Sequence, residues 1–144
     1  MMKNFLYILL FLNVLLFSEK LSAQTNFELV GNKTGFSNLS LKETRQIFKA
    51  KYSVWASGQS VIIVLPSPKN LNADQVCKLI YENSVSGVQK FWLSLVFQGR
   101  ANPPVFLDSD EEILSYVSKN PGAIGLVSKE ALKVESNMHI NLNY

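Results

Sequence analysis

"SDEEILSYVSKNPGAIGLV", Ser109 to Val127, contains a helix, its stop and a strand in one line. Ser109 with Glu112 fits a capping box, in which the first side chain accepts from an orphan helix N–H and the last reaches back to the cap. Ile113, Leu114 and Val117 then follow at helical spacing. Pro121 cannot continue a helix, and Gly122 can take a left-handed conformation at its end. Ala123 to Val127 reads as a strand, and Ala123 and Gly125 are small enough for another backbone or a ligand to come close.

The same opening device recurs upstream in "SLKE" (Ser40 to Glu43), "NADQ" (Asn72 to Gln75) and "SGVQ" (Ser86 to Gln89). Ala73, Val76, Cys77 and Ile80 sit at helical spacing, as do Val88, Phe91, Trp92 and Leu95. Ile47 and Phe48 close the first and shortest helix. Strands fit between: Asn26 to Val30, the β-branched run Ser60 to Leu65, Pro104 to Leu107, Ala123 to Val127, and His139 to Leu142 as a final edge strand. Strands alternating with helices predict an α/β fold: one lobe with a mainly parallel or mixed sheet of about four to five strands, flanked by about four helices.

The first residues, "MMKNFLYILLFLNVLLFSEKLSAQ", carry Lys3 before an apolar run from Phe5 to Phe17. That run has the length of a signal-peptide core and falls short of the roughly 20 apolar residues of a membrane span. Residues 1–23 therefore read as a signal peptide cut after Ala23, and 24–144 as a single domain; an uncleaved amphipathic anchor is the rival. No Cys stands near the cut to carry a lipid. The expected location is periplasmic or secreted, with no stable membrane span after cleavage. The chain has 14 Lys+Arg against 11 Asp+Glu. These are dispersed, which argues against a nucleic-acid partner. Cys77 is the single cysteine, so it is either a buried thiol or half of an intermolecular disulfide.

"LSLKETRQIFKAKYSVWASGQSVIIV" resembles a segment of the PstS-like phosphate-transporter substrate-binding proteins, which have the type 2 periplasmic-binding-protein fold. The likeness lies in Leu39-Ser40, a helix ending Ile47-Phe48, Lys49 to Lys51, Trp55 in a turn, and the strand Val61 to Val64. "FWLSLVFQGRANPP" (Phe91 to Pro104) is similar to that family's aromatic helix and double-Pro loop, and Asn120 to Val127 to its Pro-Gly-Ala-Ile-Gly junction. The resemblance implies a small single-lobe member, since full members have two lobes around a ligand. The loops Gly31 to Gly35 and Pro66 to Asn70 leave strand carboxyl ends, where α/β sheets bind ligands; the resemblance alone adds Asn120 to Ala123 to the same cleft, with Asn32, Thr34, Ser67, Lys69, Asn70, Gly122 and Ala123 as ligand-binding candidates.

One departure bears on function. Phosphate binders carry an Arg-Ser-x-Gly-Thr type loop at a helix N-terminus after the strand matching Ser60 to Leu65, whereas this chain reads "LPSPKN" (Leu65 to Asn70). Pro66 and Pro68 each remove an N–H donor. Ser67 and Lys69 are anion candidates or simply a solvated turn before a helix cap. Trp55 either lines a ligand face or packs over the sheet edge. Asp108, Asp110, Glu111 and Glu112 are a helix-start charge bias or a metal site. One His, His139, and one Cys do not make a typical zinc site, and no Gly-rich phosphate cradle is present. The expectation is no enzyme, no cofactor and no metal. Two functions stay open: a module binding phosphate or another small oxyanion weakly, or a ligand-free interaction module with an envelope protein as partner.

Overall fold

The computed structural model describes residues 26–132 and 137–144. The proposed signal peptide lies outside the described residues. Six strands form one sheet: β1 (Phe27–Gly31), β2 (Asn38–Ser40), β3 (Ile62–Pro66), β4 (Val105–Leu107), β5 (Ala123–Ser128) and β6 (His139–Asn143). Among the described residues four helices accompany them: α1 (Leu41–Phe48), α2 (Ala73–Tyr81), α3 (Val85–Phe97) and α4 (Asp110–Lys119). The strand order is β2-β6-β1-β5-β3-β4. β1 is antiparallel to both β5 and β6, while β3 is parallel to β4 and β5, and β2 is parallel to β6. The sheet is therefore mixed, with β1 alone running against the other five strands.

Alternation along the strands explains their unbroken apolar runs. Ile63 and Leu65 of β3, Ile124 and Leu126 of β5, and Leu29 of β1 join the core beneath α1, α2 and α3. Val64, Ala123, Val127 and Val30 face the other way, onto Ile113 and Val117 of α4. A sheet covered on both faces needs apolar side chains at both parities. Cys77 is buried in the first core, where desolvation, with a smaller contribution from Asp74, pushes its thiol up to about 11. The buried-thiol reading of Cys77 holds; Trp92 and Trp55 are buried, and Phe91 is half-buried against the same core.

The sequence reading needs corrections. The three-residue β2 pairs with β6 and takes the sheet edge, so His139 to Leu142 is internal rather than an edge strand. α3 is capped by Ser84, whose hydroxyl accepts from Gly87 N–H, and not by Ser86. Asn72 stands at the α2 N-cap without a side-chain cap bond. The full capping box at Ser40 is as expected; Ser109 also caps its helix, but Glu112 accepts from Asp108 N–H and not from the cap residue itself.

Candidate functional site

The topology divides the seven candidate residues between opposite edges of the sheet. Gly31 at the end of β1 pairs with Ile124 at the start of β5. The loops around Asn32 and Gly122 therefore lie at the amino-terminal edge of the parallel strands. Ser67, Lys69 and Asn70 follow β3 and lie at the carboxyl-terminal edge. The expected single cleft of three loops is not formed, because β1 runs against its neighbours.

At the amino-terminal edge, internal structure uses all four candidates. The Asn32 amide donates to the carbonyls of Val117 (2.9 Å) and Ser118 (3.1 Å), taking up orphan acceptors at the end of α4. Thr34 is buried, and its hydroxyl accepts from Phe36 N–H at 3.3 Å. Gly122 donates its N–H to the Asn32 carbonyl, and its own carbonyl accepts from Ile62 N–H (3.0 Å) and from the Trp55 indole (2.9 Å). Ala123 is wholly buried against the α4 core. These residues close a strand junction, and their polar groups are engaged within the chain.

At the carboxyl-terminal edge the loop is polar and also satisfied from within. Ser67 N–H donates to the Leu107 carbonyl (2.8 Å), and its hydroxyl donates to Asp108 Oδ1 (2.5 Å) while accepting from Lys69 N–H (3.2 Å). The Asn70 carbonyl oxygen of the side chain accepts from Asn72 N–H at 2.9 Å. Lys69 is exposed. Asp110, which the sequence offers as a helix-start acid or a metal ligand, turns inward and is 7% exposed. Its carboxylate accepts from Ser128 N–H (2.7 Å), from the Asn72 amide (2.9 Å) and from the Asn70 amide (3.4 Å). One carboxylate thus joins the starts of α2 and α4 to the end of β5.

A cavity of about 360 Å³ opens beside it, and its wall carries Asp108, Asp110, Glu111 and Glu130. Leu71, 98% exposed, stands at its mouth. The cavity wall sets four carboxylates where an oxyanion needs donors. Like charges about 4 Å apart repel by roughly 4 kcal/mol near a protein surface. Among the described residues no group of His, Cys, Asp and Glu is arranged to hold a metal ion. His139 Nε2 lies 2.8 Å from Glu28 Oε2, so the one histidine is engaged on β1 and not with Cys77. Sequence reasoning could not single out Asp110, since three acids stand in a row at the start of α4 and only packing selects which one turns inward.

No family model matches the sequence, and no curated protein matches it significantly. Solved structures do. The chain is similar to an ABC-type phosphate transport receptor from Vibrio cholerae (15% identity, TM-score 0.52, 81% of this chain and 46% of that one). It is similar to a phosphate ABC transporter substrate-binding protein from Clostridium perfringens with bound phosphate (17%, 0.55, 81% and 44%). A high-affinity periplasmic phosphate-binding protein, PfluDING, gives 12%, 0.59, 83% and 37%. This chain therefore spans less than half of each of these proteins. At such identity the likeness is one of fold: the chain has the α/β architecture of part of a phosphate-transporter binding protein.

Proposed function

We propose that the chain is an exported, substrate-binding-protein-like module of the cell envelope that acts by docking onto an envelope protein, not by carrying phosphate. The observation that carries this reading is the acid-lined carboxyl-terminal edge, where ligands of α/β sheets ordinarily sit. Asp110 and Asp108 already take the donors there. A fully exposed Leu71 at the mouth suits a protein contact better than an anion. Export rests on Lys3, the apolar run and Ala23. Mass spectrometry of the envelope fraction is expected to find a mature N-terminus at Gln24, and intact Met1 in the cytoplasm would overturn export.

A second reading, weak binding of phosphate or a related oxyanion, is favoured by the fold likeness and by Lys69 beside Ser67. Thermal unfolding with phosphate at about 10 mM separates the two. A site with a dissociation constant near 0.1 mM would add about 2.7 kcal/mol and raise the melting temperature by several degrees. We expect no shift. A photo-crosslinker at Leu71 is expected to give a discrete protein adduct in the envelope, and one at Lys119 none. The reverse pattern would put the working face elsewhere.

A further inference from the structure

A second cavity, about 130 Å³, lies at the opposite edge of the sheet. Its volume is the liquid share of about four water molecules. It is bounded by the turn after α1, the start of β3, the loop leading into β4, and Trp92 of α3. The inner wall is apolar where buried Ile63 and Trp92 meet half-buried Ala50, Val61 and Ala101, while Tyr52, Ser53, Ser60 and Asn102 add polar groups to the lining. The Trp92 indole N–H donates to the Tyr81 hydroxyl (2.9 Å), which itself donates to the Phe48 carbonyl (2.7 Å), so the indole has no donor left for the cavity.

The mouth is different. Arg100 is exposed, and its guanidinium has one weak protein contact, to Gln98 Oε1 at 3.4 Å. It forms no ion pair among the described residues. Each candidate ligand class can be weighed against this arrangement. A bare inorganic dianion needs several donors and would gain nothing from Ile63 and Trp92. A sugar would meet Ser53, Ser60 and Asn102 with some of its hydroxyls but leave others against Ile63 and Trp92. A pure hydrocarbon would make no use of the cation. A short hydrocarbon body with a carboxylate head uses both, since a guanidinium meets a carboxylate through two parallel hydrogen bonds.

We propose that this cavity is a binding site for a small aliphatic monocarboxylate, its branched body against Ile63 and Trp92 and its carboxylate on Arg100. The same chemistry is offered by a free acid and by a chain terminus ending in an aliphatic residue. The site is separate from the acidic edge and does not depend on the docking reading. The test is two-dimensional amide NMR of the protein as isolated, titrated with isovalerate, with 3-methylbutanol as the uncharged isostere, and with a short peptide ending in a leucine carboxylate. Saturable shifts confined to residues 50–53, 60–63 and 100–103 and the Trp92 indole are expected. The alcohol should bind at least about tenfold more weakly, and Arg100→Gln should erase that preference while leaving thermal unfolding unchanged. Tighter binding of the peptide would assign the site to a chain terminus, and tighter binding of isovalerate to a free acid. Absence of shifts, equal response to acid and alcohol, or an unaltered preference in Arg100→Gln would overturn the proposal.

Discussion

Gly122 shows how much one residue's reading depends on its surroundings. The sequence marks it as a turn glycine after Pro121, and its φ of +92° agrees. The preceding Asn120 is extended, as a residue before proline must be, which ends α4. The sequence does not show that a β-carbon at Gly122 would collide with the Ser60 carbonyl oxygen, a backbone atom that cannot step aside. Gly58 provides the contrast, with φ of +84° but open space where a β-carbon would stand. Gly58→Ala should therefore cost about 1 kcal/mol, the left-handed strain alone. Gly122→Ala should cost about 3 kcal/mol or more, strain and displacement together. Urea unfolding of both variants measures the difference, and equal costs would mean that the β3 backbone yields freely. The turn at Gly122 was legible because backbone conformation is local. Its close packing against β3 was not, because Ser60 lies far away in sequence.

At the scale of elements, helix and strand identities came through, and neighbours and caps came through less well. Apolar spacing located α1 to α4, and β-branched content located β3 and β5. β2 escaped because three residues, the last of them the cap Ser40 itself, carry too little pattern, and missing it turned β6 into a false edge. The α3 start slipped by two residues because Ser84 and Ser86 both precede the apolar run, and Gln89 completes a capping-box pattern with the wrong one. The geometry makes that slip testable. Ser84→Ala removes the acceptor for Gly87 N–H and should cost about 1 kcal/mol. Ser86→Ala alters an exposed helical position and should stay within about 0.5 kcal/mol of the parent. If chemical denaturation ranks the two variants the other way, the cap assignment fails.

On the scale of the whole molecule, the polarity of one strand governs where function can sit. Because β1 alone runs against the sheet, the loop after it is carried to the far edge from the loop after β3. Reading strand ends in chain order, without pairing directions, put Asn32 and Ser67 in one cleft; the fold puts a sheet between them. The acidic cavity around Asp110 and the apolar cavity below Arg100 are thus separated by the length of β3, five residues from Ile62 to Pro66, or about 13 Å at roughly 3.3 Å per step. They share no lining residue. Sites more than about 7–10 Å apart without common partners usually combine within about 0.5 kcal/mol. Asp110→Asn should cost about 1–3 kcal/mol, because the replacement amide accepts weakly from Ser128 N–H and from the Asn72 amide. Arg100→Gln, at an exposed position, should change stability by less than about 0.5 kcal/mol. The double variant should then show the sum of the two in urea unfolding. A coupling clearly above about 0.5 kcal/mol would mean that the edges communicate through the sheet and that the lobe works as a single site.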